Sequence, residues 1–166
     1  MNVHARSAAI IAGVVLLDRV TKWAVRSNVS ASDVFPVIPG VFNIVHTENP
    51  GAAFGMLADY AGEWRGVILI GVSLAVMTVI GTILWRPARM GVVETMLLRT
   101  GFALVFGGAL GNVWDRVMRG TVTDFLQVFI GRYEFPAFNA ADSAITVGAG
   151  LLLIDLWRSR TPSRHA

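Results

Sequence analysis

A run of twenty uncharged residues, from Gly66 to Trp85, constrains the fold of this chain more than any other feature of its sequence. A helix that crosses the hydrocarbon core of a bilayer needs about 20 mostly apolar residues. The run reads GVILIGVSLAVMTVIGTILW and is followed by a basic turn, RPAR, whose proline Pro87 cannot continue a helix. The sequence therefore predicts at least one membrane span.

The composition supports a membrane protein. Of the 166 residues, 54% are hydrophobic and 15% are charged, and the mean hydropathy is +0.60. Soluble domains carry about 25% charged residues. The net charge of +3 is explained by arginines at membrane edges beside anionic headgroups, so no nucleic-acid partner is expected. The chain has no cysteine, which excludes disulfides, thiolate metal sites and a cysteine nucleophile.

Three further stretches are apolar enough to span a bilayer, at 8–25, 92–114 and 139–157. The first is interpreted as an uncleaved helix, because its apolar run 7–17 is followed by Asp18 to Lys22 where a signal peptide would carry small residues. It can cross the membrane only if Asp18 and Lys22 face protein or water. Four spans place both termini on one side. The total count of basic residues does not decide which side, but the dense basic clusters at 86–89 and 158–164 favour the cytoplasm.

Two segments outside these spans, at 28–64 and 117–137, are too long to be simple turns. Residues 41–45 are rich in β-formers, 49–51 read Asn-Pro-Gly, and 120–136 contain a second strand-like run. We therefore expect one all-α membrane domain over residues 1–166. It is predicted to be a bundle of four transmembrane helices, with a small extramembrane β-platform on the face opposite the termini.

Polar side chains gather toward that same face. The ionisable and amide residues at or near membrane depth are Asp18, Lys22, Asn49, Asn112, Asp115, Arg116, Asp124, Asn139 and Asp142. Such residues are costly in a membrane and usually mark a functional site. A proton or ion path favours a file of charges across the bilayer, whereas this set is predicted to cluster at one leaflet.

Several of these residues also have a purely structural interpretation. Asn139 is a good helix N-cap, and Asp142 stands three residues later, as in a capping box. Asp124, within Thr-Asp-Phe, is typical of a solvated turn. Gly107 and Gly111 form a GxxxG pair, which commonly serves helix packing alone.

The charged residues of the first and third spans allow the same kind of explanation. Asp18 and Lys22 are four residues apart, so they would neutralise each other on one helix face. Asp115 could pair with the neighbouring Arg116 or join Asn112, three residues before it. None of these pairs requires a catalytic role.

Asp124 and Asp142 together suggest a reaction. Two carboxylates held close in a partly dry site cannot easily both ionise, so one keeps a proton. The charged one can take a proton from water while the neutral one donates to a peptide carbonyl, as in aspartic proteases. Asn112, Arg116 and Asn139 are of the right type to hold a substrate backbone or a developing oxyanion.

Other chemistries find little support. The histidines are His4, His46 and His165, and no Ser-His-Asp set can be assembled from them. There is no HExxH motif, so neither a metal nor another cofactor is expected. Two non-peptidase interpretations stay open: a small ion- or proton-coupled transporter, and a non-catalytic membrane scaffold.

Five motifs in order resemble those of one family. They are DRVTK at 18–22, TENPGAAFG at 47–55, GGALGNVWDR at 107–116, TDF at 123–125 and FNAADS at 138–143. The sequence resembles lipoprotein signal peptidase, also called signal peptidase II, over nearly its whole length. It differs from the usual pattern at Val113-Trp114 and at Thr123, which leaves the role of Trp114 open.

The resemblance implies an aspartic endopeptidase of the bacterial inner membrane. It implies four transmembrane helices, cytoplasmic termini and a site facing the periplasm. The substrates would be prolipoproteins, cut just before a diacylglyceryl-modified cysteine, with membrane lipids as neighbours; we expect a monomer. The implied site residues are the catalytic pair Asp124 and Asp142, the substrate-binding Asn49, Asn112, Arg116 and Asn139, and the supporting Asp18, Lys22, Gly51 and Asp115.

Overall fold

The computed structural model describes residues 2–51, 64–85 and 95–160. The basic cluster at 86–89, the start of the predicted span 92–114, part of the segment 28–64 and the end of the basic cluster 158–164 lie outside these residues. The described residues form four helices and four strands, in the order α1 Val3–Asn28, β1 Val34–Ile38, β2 Phe42–Asn49, α2 Trp64–Trp85, α3 Met96–Arg119, β3 Val122–Ile130, β4 Tyr133–Phe138 and α4 Ala140–Arg160.

The protein is a mostly helical membrane protein with a small antiparallel sheet, as the sequence predicted. Within the described ranges three helices, α2, α3 and α4, are long and apolar enough to cross a membrane. Large apolar side chains point outward from the helices: Leu16 of α1, Val72 of α2 and Leu153 of α4 are 64%, 58% and 67% exposed. A lipid environment would cover this apolar surface.

Two helices, α1 and α3, end at other residues than the predicted spans because caps set their ends. The Asn2 side chain accepts a hydrogen bond from the first turn of α1, so this helix begins before the predicted residue 8. Thr95 caps α3, which begins at Met96 rather than 92. The same helix continues past Trp114 to Arg119, where Gly120 ends it with a left-handed φ of 79°. Hydropathy alone does not detect these charged final turns.

Helix α3 packs closely against two neighbours through its glycines. A Cβ on Gly107 would lie 2.9 Å from Val14 Cβ of α1, and a Cβ on Gly108 would lie 2.4 Å from the Ala141 carbonyl oxygen of α4. Gly111, on the Gly107 side of the helix, also faces α1. The GxxxG pair therefore serves packing within this chain.

The four strands form one antiparallel sheet in the order β1-β2-β3-β4. Each of the three strand pairings contains a register irregularity of the β-bulge kind. The edge strands β1 and β4 each contain a proline, Pro36 and Pro136. In the central pair of strands, Thr47 of β2 pairs with Asp124 of β3. Asp124 is the third residue of β3, so it lies at the end of that strand nearest α3.

Candidate active site

A cavity of about 560 Å³ opens where α3, α4 and the sheet meet. Polar groups from four elements, β2, α3, β3 and α4, line one part of it, and mostly apolar side chains of β3, β4 and α4 line the rest. The polar residues on its wall include Asn49, Asn112, Arg116, Asp124 and Asp142.

Asp124 reaches this cavity from β3 and is only 3% exposed. Its Oδ2 accepts a hydrogen bond from Asn49 Nδ2 at 3.0 Å, and its Oδ1 accepts one from Asn139 Nδ2 at 2.7 Å. Burial raises the pKa of Asp124 to about 6 against these hydrogen bonds, and the nearby charge of Asp142 raises it further. The carboxyl can therefore hold a proton at a mildly acidic pH.

Asp142 lies in the first turn of α4, where it forms the predicted capping box with Asn139. Asn139 Oδ1 accepts from the Asp142 N–H at 3.0 Å, and Asp142 Oδ2 accepts from the Asn139 N–H at 3.2 Å. The other carboxylate oxygen accepts from Asn112 Nδ2 at 2.8 Å. The same carboxylate thus both caps α4 and lines the cavity.

Asn139 connects the two carboxylates. Its amide oxygen is occupied by the Asp142 N–H, so its Nδ2 must point the other way, toward Asp124. Asn139 is itself fully buried, which leaves its amide few alternative partners. One side chain therefore fixes the two acidic groups relative to each other.

Asn49 is oriented by the turn that follows it. Its Oδ1 accepts the Gly51 N–H at 2.8 Å, so its Nδ2 is directed to Asp124. Gly51 has a φ of 98°, and a Cβ there would lie 2.3 Å from Leu69 Cδ1 of α2. Only glycine fits this position without strain, which explains why the Asn-Pro-Gly sequence belongs to the site.

Arg116 lies on the cavity wall and is partly buried. Its Nη1 makes one long contact, 3.5 Å, to the Asn112 carbonyl oxygen on its own helix. It interacts electrostatically with Asp142 and Asp124, but within the described ranges it has no carboxylate oxygen within 4.0 Å. Its guanidinium can therefore bind a group that enters the cavity.

A second charged cluster lies behind the cavity, between α1 and α3. Lys22 Nζ is 2.9 Å from Asp18 Oδ1 and 2.8 Å from Asp115 Oδ2. Arg19 bridges the same two carboxylates at 2.9 and 2.8 Å. The expected Asp18–Lys22 pair is present, whereas Asp115 pairs with α1 rather than with Arg116. Consecutive residues of a helix point about 100° apart, so Asp115 faces α1 while Arg116 faces the cavity.

The structure thus brings all ten sequence-predicted site residues into one region. The two aspartates and three asparagines are connected to one another by hydrogen bonds. Arg116 lies on the cavity wall, and Gly51 orients Asn49. The other three residues, Asp18, Lys22 and Asp115, form the charged cluster behind the cavity. Sequence reasoning missed Arg19 as a member of that cluster, although it lies inside the DRVTK motif. Trp114 is 53% exposed and is not one of the residues that line the cavity.

Comparisons with known proteins confirm the resemblance. The family model described as signal peptidase (SPase) II matches residues 10–158. A lipoprotein signal peptidase of Solibacter usitatus is 47% identical over 161 residues, covering 97% of this chain and 94% of the relative. One from Nitratidesulfovibrio vulgaris is 40% identical over 156 residues, covering 93% of this chain and 91% of that protein.

Solved structures agree in fold. A bacterial membrane enzyme determined at 2.3 Å resolution by the in meso method superposes with a TM-score of 0.83 at 31% identity, over 98% of this chain and 93% of that one. A second such structure, at 1.9 Å, gives 0.78 at 34% identity and covers 92% of each chain. With a family model that spans most of its length, this bacterial membrane protein belongs to the signal peptidase II family.

Proposed function

We propose that this peptidase removes the signal peptide from lipid-modified prolipoproteins, with Asp124 and Asp142 as its reacting pair. One observation carries the assignment of the pair. Both carboxylates are hydrogen-bonded to the same residue, Asn139, at the wall of a cavity of about 560 Å³. Two acidic groups held near each other in a partly dry site can share a proton, which would supply the acid and the base that hydrolysis needs.

In the proposed reaction Asp124 holds the shared proton, because its pKa of about 6 is raised by burial. Asp142, as carboxylate, takes a proton from water while the water oxygen attacks the scissile carbonyl carbon. Asp124 gives its proton to the carbonyl oxygen. The resulting diol then collapses, the C–N bond breaks, the amine takes the proton from Asp142, and a diol hydroxyl returns one to Asp124.

The amides and the guanidinium around the pair would bind the substrate. Arg116 has no ion-pair partner within the described ranges, so its N–H groups can donate to substrate carbonyl oxygens or to the oxyanion. Asn49, Asn112 and Asn139 restrain the carboxylates, and Asn49 and Asn112 also line the polar part of the cavity. The apolar part, including Phe138 and Val147, suits an apolar peptide and the acyl chains of the modified cysteine.

For the membrane arrangement we propose four spans, with α1 as the fourth. Its 26 residues extend about 39 Å, enough to cross a bilayer. Its charged residues Asp18 and Lys22 are 0% exposed and paired, which removes the main objection to placing them at membrane depth. We place the termini in the cytoplasm of the inner membrane and the cavity at the periplasmic face, where a translocated precursor arrives.

The test uses purified protein and a synthetic precursor peptide with a diacylated cysteine. Wild type is expected to cut before that cysteine, and Asp124→Asn and Asp142→Asn to reduce the rate by more than about a thousandfold while the protein still inserts. Cleavage that survives either change would refute the pair. If wild type moves ions across vesicles and that transport persists in both variants, the transporter interpretation would replace this one.

A further inference from the structure

Lys22 occupies an unusual position behind the proposed reacting pair. Its ammonium group is 0% exposed and contacts three oxygens: Asp18 Oδ1 at 2.9 Å, Asp115 Oδ2 at 2.8 Å and Asn112 Oδ1 at 3.0 Å. A lysine ammonium has three N–H donors. All three are therefore used, two on carboxylates and the third on the side-chain amide of a residue that touches the cavity.

The third bond fixes which way the Asn112 amide points. The two ends of an amide have nearly the same shape, so the hydrogen-bonding partners decide its orientation. Lys22 can only donate, so the Asn112 oxygen must face it, and Asn139 Nδ2 donates to that same oxygen at 3.3 Å. The Asn112 Nδ2 is thereby directed to Asp142 Oδ1, 2.8 Å away.

The same cluster also holds the backbone beside Asp142. Asp18 Oδ1, the oxygen that faces Lys22, accepts the Ala141 N–H at 3.2 Å in the first turn of α4. Gly111 makes room for this carboxylate, since a Cβ there would lie 2.7 Å from Asp18 Oδ2. This backbone contact is made by the Asp18 carboxylate, whereas the contact of Lys22 toward Asp142 runs through the Asn112 amide.

We propose that Lys22 is a positioning residue for the reaction: by holding the Asn112 oxygen, it keeps the amide N–H on Asp142 and the carboxylate in its reactive orientation. This inference rests on the proposed function of the pair. Lys22 itself touches neither substrate nor cavity. Without its ammonium the amide is free to turn over and present its oxygen to Asp142, which sets two acceptors against each other.

The primary variant is Lys22→Met, which keeps the length of the side chain and removes all donors. Displacing a catalytic group from its productive geometry costs on the order of 100-fold. We therefore expect kcat on the precursor peptide to fall about 100-fold with KM within about threefold. The control is Arg119→Met, which removes a cation from the exposed last turn of α3 without contact to the Asn112 side chain. Its kcat is expected to stay within about threefold of wild type.

A double-mutant cycle separates positioning through Asn112 from a general loss of structure. If Lys22 acts through the Asn112 amide, Lys22→Met should lower the cleavage rate little further in a variant that already carries Asn112→Ala. The double variant should then be within about threefold of Asn112→Ala in single-turnover rate. Lys22→Gln, which lacks the charge but retains a donor, should recover at least about tenfold over Lys22→Met.

The outcomes are decisive in either direction. A wild-type kcat in Lys22→Met, or losses that multiply in the double variant, would overturn the positioning role of Lys22. The proposed function would still hold if the wild type cleaves the peptide and Asp142→Asn does not. If Lys22→Met does not fold, as judged by thermal unfolding in detergent, the cycle is run with Lys22→Gln, and multiplicative losses there overturn the proposal equally. If Asp142→Asn still cleaves, the function itself fails first.

Discussion

Asn139 and Asp142 cap each other at the start of α4: the amide oxygen of the first accepts the N–H of the second at 3.0 Å, and the carboxylate of the second accepts the N–H of the first at 3.2 Å. This pair satisfies two N–H groups that a helix N-terminus leaves without an intrahelical partner. The same carboxylate is also on the cavity wall. Asp142 therefore has a structural role as a helix cap and a proposed role in the reaction, and different substitutions can separate the two.

Substitution of Asp142 should dissociate stability from activity. Asparagine keeps an oxygen that can accept the Asn139 N–H, so Asp142→Asn should destabilise the protein by less than about 0.5 kcal/mol. Alanine removes the acceptor and should cost about 1 kcal/mol. Both variants should lack cleavage activity. Thermal unfolding in detergent, beside the peptide assay, checks this; equal stability of the two variants would argue against the cap.

The raised pKa of Asp124 predicts a stability that falls as the pH rises. The folded protein holds this proton up to about pH 6, whereas the unfolded chain releases it near 3.8. The folded state therefore binds more protons between these values, and the stabilisation present below pH 3.8 is lost as the pH rises through about 6. The full effect is on the order of 3 kcal/mol.

Asp124→Asn provides the control for this pH dependence, because its side chain does not titrate. Between pH 4 and 7 the wild type should lose stability relative to the variant, measured as the difference between their unfolding midpoints in the same detergent. A constant difference over this range would mean that Asp124 is not the titrating group.

Gly108 should not tolerate a methyl group. Its Cβ would approach the Ala141 carbonyl oxygen to 2.4 Å, next to Asp142, so Gly108→Ala must push α3 and α4 apart. We expect a destabilisation of about 1–3 kcal/mol and a clear loss of kcat. Gly71→Ala is the matched control in α2, where a Cβ meets no described atom within 4 Å, and it should be neutral or stabilise by up to about 1 kcal/mol. Equal effects of the two changes would contradict the packing argument.

Arg116 should contribute more to substrate handling than to folding, because no carboxylate of the described residues lies within ion-pair distance of it. Arg116→Gln is expected to lower kcat/KM by about 100-fold, since a charge-assisted hydrogen bond is lost, with little change in unfolding temperature. The control is Arg119→Gln, one turn from the cavity wall and exposed. Comparable losses in the two arginine variants would show a general effect of charge.

The apolar helices, and a set of polar residues that gathers in one region, could be predicted from the sequence because those signals are local. An uncharged run of twenty residues admits few folds, and the motifs containing Asp124 and Asp142 stand in a recognisable order. The GxxxG pair likewise predicted close helix packing. These properties depend on spacing and residue type, which a single sequence contains.

Pairings between distant segments were harder to predict. The choice of Asp115 between α1 and Arg116 depends on how α3 is rotated, which no local pattern specifies. The strand β1 was not anticipated, since all five of its residues are exposed and β2 is its one partner among the described strands. Nor does any spacing indicate that the Lys22 ammonium would meet the Asn112 amide, 90 residues away. Tertiary packing decides such contacts.

The two outer strands of the sheet have a consequence for how copies of this protein coexist in a crowded membrane. A neighbouring molecule can pair one of its own strands with an open sheet edge, and features such as prolines and bulges in edge strands prevent this pairing. Here each edge carries a proline, Pro36 on one side and Pro136 on the other, and every pairing is bent by an irregularity. Proline offers no N–H, and a bent edge cannot lie flush against another. These edges therefore disfavour strand pairing between neighbouring molecules, and with it aggregation.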